Sequence, residues 1–503
     1  MARAKALGLA ALLPALGGCG GGLFTTVGPD YEAPATPAES RWQAEAPAAM
    51  PAHGGSPAAL AQWWERFHDP ALSRFLDAAQ QVSADIAEAR SRIEQARADV
   101  TGAHAAGLPA LDTVMDYNRS NFSFGGPPFL RDQYQVGLQS NWEVDLFGGI
   151  ARQREAASRQ VEGRTAAWHD ARVAVAVEVA NAYLNYRQCE VLVNIAQADA
   201  QSRQESARLT SIVGRAGLRA PADVALAKAS AADGQDSLLR QQGSCEQAIK
   251  GLVALTGLGE AEVRWRLGSP PERVARLPSP PPFRLEAVPA KALLQRPDVA
   301  AAERAVAEAS AGIGVEEAKR FPKLSLSGNI TPSLQNINGG ALMLANTWSF
   351  GPTMSLPLFD WGKRAADVDA AVARHEAAVS RFKATVRTAA REVEEALVRL
   401  RNAEQRLPEA RAAAEGYRAN FRATEQLYRA GFGSLIDTEA SRRQALASDR
   451  AVAELEREYA AAWIALYRAA GGGWDDKDAH HAANTAPSRN PASSSLPQND
   501  DPS

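Results

Sequence analysis

The chain consists of two copies of one unit, and this internal duplication limits its fold more than any other feature. Five landmarks recur in the same order, at offsets of 213, 213, 212, 214 and 214 residues. They are residues 84–89 with 297–302, residues 108–111 with 321–324, residues 144–148 with 356–360, residues 215–218 with 429–432, and Asp223 with Asp437. Chance does not place five landmarks at so constant a spacing, so the sequence predicts two similar units of about 210 residues.

Each copy is predicted to run helix, strand, strand, long helix, turn and helix. Apolar and polar side chains alternate along the strands, as in Leu111, Thr113 and Met115 against Asp112 and Asp116. The predicted strands are residues 111–118 and 134–146 in the first copy and residues 324–330 and 347–358 in the second. The segments between them, 121–130 and 332–345, are rich in turn-forming residues, so each copy carries one β-hairpin.

The helix after the second strand is much longer than the helices of most globular domains. It is predicted over residues 151–213 and 363–429, which is roughly 95 to 100 Å at 1.5 Å per residue. In the second copy apolar residues recur every seven positions, and this predicts coiled-coil packing. The two seams are Val372, Val379, Val386, Val393, Leu400 and Leu407, and Val368, His375, Phe382, Ala389, Ala396 and Ala403. Pro408 is expected to kink this helix.

Four strands per chain cannot close a membrane barrel, because such barrels begin at about eight strands and an open edge leaves backbone groups unpaired in lipid. Three chains would supply twelve strands and continue them as a tube of helices. No stretch after the N-terminus has the ~18 consecutive apolar residues of a membrane helix, which excludes a helical membrane protein. The net charge of −3 gives no electrostatic case for a nucleic-acid partner.

The first eighteen residues have the order of a secretory leader, with Arg3 and Lys5 before the apolar stretch 6–16. The sequence Leu-Gly-Gly-Cys at 16–19 resembles the lipobox of bacterial lipoproteins. Residues 1–18 would then be removed, and Cys19 would carry a diacylglycerol and an acyl chain such as palmitate. Gly20 in place of an aspartate favours the outer membrane. An ordinary leader with a chance cysteine is the alternative. Residues 19–62 are expected to form an extended, lipidated arm over the barrel exterior.

Export would place the two remaining cysteines in an oxidising compartment. Cys189 and Cys245 each lie 28 residues from Gly217. If Gly217 is near the tip of an antiparallel helical hairpin, the two thiols lie at the same height and a disulfide is predicted. Two buried free thiols are the alternative.

Four further motifs occur in an order typical of a known family. They are VGPDY at 27–31, WWERFHDPAL at 63–72, RPDV at 296–299 and PLFDWG at 357–362. With them the chain, over about residues 19–470, resembles the TolC-like outer-membrane efflux proteins. More narrowly, it resembles the NodT-type lipoprotein branch, which serves resistance-nodulation-division pumps.

The resemblance implies an α+β membrane protein of TolC-like fold that acts as the exit duct of a tripartite efflux system. Each protomer of a homotrimer would give four strands to a twelve-stranded β-barrel and its long helices to a periplasmic α-helical barrel. The expected location is the outer membrane of a Gram-negative bacterium, in contact with its lipid and extending into the periplasm. The expected partners are a periplasmic adaptor (membrane fusion protein) and an inner-membrane pump.

The same resemblance divides the chain. Residues 63–265 are the first outer-membrane efflux repeat and residues 290–470 the second. The Pro-rich linker 266–289 is expected to be an extended strap rather than a packed element. Residues 471–503 are expected to be a disordered tail.

Members of this family keep the periplasmic tip closed with inward carboxylates and polar links between hairpins. By matching position, the expected gate residues are Asp437, Asp223, Tyr428, Arg429, Arg215 and Arg219. Ala440 stands where some relatives have a second aspartate, which puts a double acidic ring in doubt. Gly217 and Gly431 are expected to turn the chain with positive φ. The alternative is that the gate residues are ordinary solvated turn residues.

Two other classes of function are alternatives to the duct. An enzyme is not expected, since the sequence has no H-E-x-x-H motif, P-loop or nucleophile elbow. The glycines at 312 and 314 lack the third glycine of a dinucleotide fingerprint, and no metal or cofactor is expected beyond the lipid on Cys19. A periplasmic adaptor or coiled-coil scaffold also uses long hairpins. An adaptor would have one hairpin flanked by small β domains, whereas this chain has two hairpins and two strand pairs.

Overall fold

The computed structural model describes residues 24–36, 41–44, 60, 62–123, 125–268, 277–283 and 289–473. The leader, Cys19 and residues 474–503 lie outside the described residues. In chain order the elements after the short 3-10 helix Glu65–Phe67 are α1 (Pro70–Val82), α2 (Ala84–Ala105), β1 (Ala110–Phe122), β2 (Phe129–Val144), α3 (Gly149–Arg215), α4 (Pro221–Thr256), α5 (Glu260–Leu267), α6 (Pro289–Leu294), α7 (Pro297–Ala318), β3 (Lys323–Ile337), β4 (Met343–Ser355), α8 (Lys363–Arg429) and α9 (Leu435–Ala469).

The predicted duplication is present in this element order. Helices α2 and α7 both contain 22 residues, and α3 and α8 both contain 67. The first residues of α2 and α7 are 213 positions apart, and those of α3 and α8 are 214 apart. The two halves therefore correspond residue by residue along these helices.

The four strands form one antiparallel sheet in the order β1-β2-β3-β4. Its hairpins are longer than predicted, since β1 continues to Phe122 and β2 begins at Phe129. Stacked rings join the strands, with centroids 4.7 Å apart for Tyr117 and Tyr134 at the end of the predicted pairing and 5.9 Å apart for Phe122 and Phe129 in the extension. Cross-strand pairs of this kind stabilise a sheet by roughly 0.2–1 kcal/mol each, which outweighs the turn-forming residues around them.

Strand β3 also runs further than predicted, through Pro332 to Ile337. The pairing of β2 with β3 skips Val136 and Gly137 and then resumes in the same register. Pro332 has no N–H to donate, so the ladder loses bonds there without shifting. The helix-side strand ends come earlier than predicted, at Val144 for β2 and at Ser355 for β4.

The two long helices follow the prediction closely. Helix α8 has the predicted bounds, and α3 is two residues longer at each end. Gly148 and Gly362 cap their N-termini with φ of +72° and +87°. The predicted α8 seam is buried at no more than 1% exposure along its middle, at Phe382, Val386, Ala389, Val393, Ala396, Leu400 and Ala403. The predicted apolar seam is therefore buried over this part of the helix, and coiled-coil packing stays a prediction. The helix continues through Pro408, and a kink there stays a prediction.

The Pro-rich linker is packed, contrary to expectation, over its described residues 277–283. Phe283 is 1% exposed and meets the Trp63 ring edge-on at 5.7 Å. The Trp63 indole donates a hydrogen bond of 2.9 Å to the Pro281 carbonyl and stacks on Tyr467 at 4.7 Å. Apolar side chains thus pack the linker against the core although residues 277–283 have no regular secondary structure. The end of α9 is also ordered beyond expectation, since the Gly473 N–H donates to the Tyr467 hydroxyl at 2.9 Å.

The described part of the N-terminal arm follows the helices rather than the barrel exterior that was expected. Its amide groups find acceptors there: Thr25 donates to the Leu146 carbonyl at 3.1 Å. Gln43 and Ala44 both donate to the Glu394 carboxylate at 2.8 Å. Tyr31 donates to Glu303 at 2.9 Å, and burial, with Glu303 adding to it, raises the pKa of Tyr31 to about 12.

Two glycines allow the arm to cross the start of α3. Gly28, with φ of +87°, lies so close to α7 that an added Cβ would be 2.4 Å from the Gly314 Cα. The buried Arg152 side chain donates to the Val27 and Gly28 carbonyls, each at 3.2 Å, and pairs with Asp30 at 2.8 Å. Gly314, which the sequence left without a role, is therefore required by this close approach.

Among the described helices, none is both long and apolar enough to cross a membrane.

Candidate functional site

Both hairpin turns use the same backbone geometry. Gly217 and Gly431 have φ of +74° and +84°. The N–H after each glycine donates to the carbonyl five residues earlier, from Leu218 to Val213 at 3.1 Å and from Phe432 to Leu427 at 2.9 Å. This left-handed helix ending favours glycine. The two turns predicted from the sequence are thus present at equivalent ends of the two hairpins.

The two predicted aspartates lie in the first turn of the returning helices. Asp223 is in α4 and has the Arg219 guanidinium at 4.0 Å. Asp437 is exposed in α9, after the N-cap Ser434. In the described part of the chain no side chain bonds to Asp437. The positive end of each helix dipole favours a carboxylate here, so both aspartates stabilise their turns as well as carrying charge.

Tyr428 is the predicted residue that links the two hairpins most directly. It is 7% exposed, and its hydroxyl lies 2.5 Å from the Thr210 hydroxyl of α3. The Arg219 guanidinium lies over its ring at 5.1 Å. A side chain of the second hairpin is therefore held by two side chains of the first.

The other two predicted arginines are not drawn into this contact within one chain. Arg429 pairs with Glu425 of its own helix at 3.1 Å. Arg215 is exposed at the end of α3, and among the described residues no acidic side chain pairs with it. The structure therefore brings Tyr428, Arg219 and Asp223 together and leaves Arg429 and Arg215 at the surface of the protomer.

A buried charged cluster, which the sequence did not suggest, lies next to these residues. It consists of Asp199, Arg203, Ser230, Glu439 and Arg442, from helices α3, α4 and α9. Arg442 is 1% exposed and pairs with Glu439. Arg203 pairs with Asp199 at 2.8 Å and donates to the Ser230 hydroxyl at 2.9 Å, and that hydroxyl donates to Glu439 at 2.9 Å. Four charges thus balance inside the contact between the hairpins.

This buried charged cluster fixes α9 against α3. Arg442 donates to the hydroxyls of Ser202 and Ser206 at 3.1 Å each. Its Nε lies 3.9 Å from Asp199, so that attraction is coulombic. Burial raises the pKa of the Asp199 carboxyl, while Arg203 and Arg442 act against this shift. The signal in the sequence was a charged pair, Glu439 and Arg442, among small residues such as Thr438, Ser441 and Ala445 on one face of α9.

Cys189 and Cys245 form a disulfide between α3 and α4, with Cα atoms 5.5 Å apart. Both lie 28 residues from Gly217, at one height in the first hairpin. The bridge ties the hairpin together far above its turn. In the described part of the chain no three His, Cys, Asp or Glu side chains are grouped so as to hold a metal ion.

Comparison with known proteins gives consistent matches over most of the chain. The sequence profile of a family described as outer membrane efflux protein matches residues 75–258 and 288–472, one segment in each half. The solvent efflux pump outer membrane protein SrpC of Pseudomonas putida is 29% identical, over 93% of this chain and 98% of its own. Nodulation protein T of Rhizobium leguminosarum bv. trifolii is 28% identical, over 89% of this chain and 94% of its own.

The fold comparison agrees. The solved structure of the outer-membrane channel OprN superposes with a TM-score of 0.76 at 29% identity, over 89% of this chain and 99% of that one. None of these matches is an enzyme or an adaptor.

Proposed function

Since this chain belongs to the outer membrane efflux protein family, we propose that three copies of it form a passive exit duct that is gated at its helical tips. The protein is an outer-membrane efflux channel of TolC-like fold. What we propose beyond this is its trimeric assembly, its gate, its lipid anchor and its partners. The observation that carries it is the open four-stranded sheet that continues directly into 67-residue helices.

The sheet is suited to a membrane only as part of a larger ring. Within the described chain β1 and β4 each pair on one side, and an unpaired edge in lipid costs several kcal/mol per backbone group. Large apolar side chains on these edge strands are also exposed, including Leu111, Met115, Trp348, Phe350 and Met354 at 65–78%. Three chains would close these edges into twelve strands, within the known range of membrane barrels.

The gate proposal rests on the contacts between the two hairpins. Tyr428 with Thr210 and Arg219, together with the buried charged cluster, would hold the second hairpin of each protomer inward. Opening would then require these contacts to break as the second hairpin moves away from the first. A ring of three Asp437 carboxylates at the tip would concentrate negative potential and favour cations in the closed state.

We also propose that Cys19 is lipidated and that the tips meet a periplasmic adaptor linked to an inner-membrane resistance-nodulation-division pump. Leu218 and Phe432 support the adaptor contact, since each follows a turn glycine and they are 77% and 86% exposed. The relative SrpC is a solvent efflux pump outer membrane protein, which supports a role of this chain as one component of a pump. Cargo selection would then belong to the pump, because a water-filled tube binds substrates weakly.

Two measurements test this proposal. The detergent-extracted protein should have about three times the chain mass of 53.5 kDa, and a monomer would refute the duct. In planar bilayers, Asp437→Ala combined with Arg429→Ala should raise the conductance and lower the preference for cations. The control is Glu409→Ala, which removes an exposed carboxylate of α8 that lies 20 residues before the end of the helix. An unchanged conductance in the double variant would contradict the proposed role of the tip.

A further inference from the structure

The chain contains, within itself, a template for the contact between neighbouring copies. Helix α3 of the first repeat packs against α7 of the second along a seam of small residues. A Cβ added to Gly163 would lie 3.4 Å from the Arg304 Cβ. A Cβ added to Gly149 would lie 2.9 Å from the Ala318 Cβ, and one added to Gly314 would lie 2.7 Å from the Arg152 Cγ. The two helices therefore touch at three defined heights.

The duplication assigns a counterpart to each of these residues. The offset is 214 residues from α3 to α8 and 213 from α2 to α7. The contacts of Gly149 with Ala318, Arg152 with Gly314, and Gly163 with Arg304 correspond to Lys363 with Ala105, Ala366 with Thr101, and Ala377 with Ser91. All six counterpart residues are exposed in the single chain. Helices α8 and α2 therefore each present an unused half of the same seam.

The strand–helix junction repeats this relation with larger side chains. Phe147 stacks on Phe321 with ring centroids 4.6 Å apart. Counted from the N-cap glycines Gly148 and Gly362, which share a positive φ, Phe147 corresponds to Trp361, and the offset of 213 leads from Phe321 to Leu108. Trp361 is 89% exposed and Leu108 is 62% exposed. Two large apolar side chains thus lie in water, at the positions where the other junction has a closed pair.

We propose that α8 of one protomer packs along α2 of the next in the register of the α3–α7 seam, with Trp361 against Leu108. This inference rests on the proposed trimer and specifies its interface. A second copy is the occupant, because the two unused faces are halves of one contact and lie on different repeats of one chain. Three seams within chains and three between them would alternate around the tube, so the head-to-tail contact closes.

Cysteine crosslinking tests the register. In the template, a Cβ added to Gly163 would lie 3.4 Å from the Arg304 Cβ, close to the ~3.5–4.5 Å that a disulfide needs. Ser91→Cys with Ala377→Cys should therefore give a covalent trimer on oxidation of native membranes. The matched control is Ser91→Cys with Ala370→Cys. Ala370 is also exposed, but it lies seven residues, or about 10 Å, further along α8.

The outcomes separate this inference from the proposed duct. The register is supported if the unmodified protein is a trimer, the 91/377 cysteine variant crosslinks and the 91/370 cysteine variant does not. A trimer in which 91/377 fails to crosslink, or crosslinks no better than 91/370, overturns the register and leaves the duct intact. A monomeric protein overturns both.

The junction contact has its own test. Trp361→Ser should raise the dissociation constant of the trimer at least tenfold, as expected for an aromatic anchor in an interface. Trp265→Ser is the matched control, because Trp265 of α5 is similarly exposed at 71% but lies outside the proposed seam. Equal effects of the two changes, or no effect of Trp361→Ser, would overturn the junction contact.

Discussion

Replacing Arg442 with methionine should weaken the contact between the two hairpins. The guanidinium is 1% exposed, and its removal leaves Glu439 and Asp199 buried without one of their two cations. Removing one member of a buried ion pair costs about 3–5 kcal/mol. Arg203 remains 2.8 Å from Asp199 and 3.6 Å from Glu439, so the low end, about 3 kcal/mol, applies. This corresponds to roughly a hundredfold shift towards separated hairpins, at about 1.4 kcal/mol per tenfold.

Single-channel recording in planar bilayers measures this shift as the fraction of time that the channel is open. The matched control is Arg443→Met, because Arg443 is the next residue of α9 and is exposed. Thermal unfolding of both variants distinguishes loss of the contact between the hairpins from loss of the fold. Arg442→Met combined with Glu439→Met should recover much of the closed state, since an apolar pair of similar volume can replace a buried ion pair.

The reasoning would be refuted if Arg442→Met opened the channel no more than Arg443→Met while both variants remained folded. It would also fail if the double variant opened as much as Arg442→Met alone, because the cost is assigned to the carboxylate left without its cation.

Three further outcomes follow from other parts of the fold. Gly314→Ala should destabilise the protein by about 1–3 kcal/mol, because the new Cβ would lie 2.9 Å from the Val27 carbonyl; Gly312→Ala, where a Cβ meets open space, should stabilise it slightly in the same thermal-unfolding assay. Replacing Cys189 and Cys245 with serine should cost about 4 kcal/mol by the loop-entropy relation for cysteines 56 residues apart, and reductant should then lower the melting temperature of the wild type but not of the variant. Burial, and then the nearby Asp298, raise the pKa of Asp170, so its ionised form weakens the fold. Asp170→Asn should therefore melt higher than the wild type above that raised pKa, and the difference should vanish as the pH falls to the ordinary Asp value near ~4.

The features that could be predicted from the sequence are those that depend on local periodicity or on backbone conformation. The heptad pattern of α8 predicted its buried face. Gly217 and Gly431 predicted the two turns, because glycine adopts positive φ without strain. Features that depend on distant partners could not be predicted. Arg442 bonds to Ser206, which is 236 residues away, and no short window of sequence contains both. The path of the arm was missed because it depends on Glu394 and Gly314, which lie in the second repeat.

The contacts of the predicted gate residues could be predicted only in part, for the same reason. Tyr428 and Arg219 meet because two separate turns lie at one height, and this follows from the duplication. The buried charged cluster combines residues from three helices, and a charged residue on a helix face reads as solvated when its partners are unknown. The loop-side ends of β1 and β2 were predicted too early, because Phe122 and Phe129 stabilise a pairing in a segment whose other residues are polar and turn-forming.

The equal lengths of α3 and α8 restrict how this protein can change over evolutionary time. Each has 67 residues, so both turns project about 100 Å from the strands and end level. An insertion of four residues in one helix alone would push its turn out by about 6 Å and move Tyr428 past Thr210. Insertions and deletions along the tube therefore have to match in both helices of each hairpin and in both repeats.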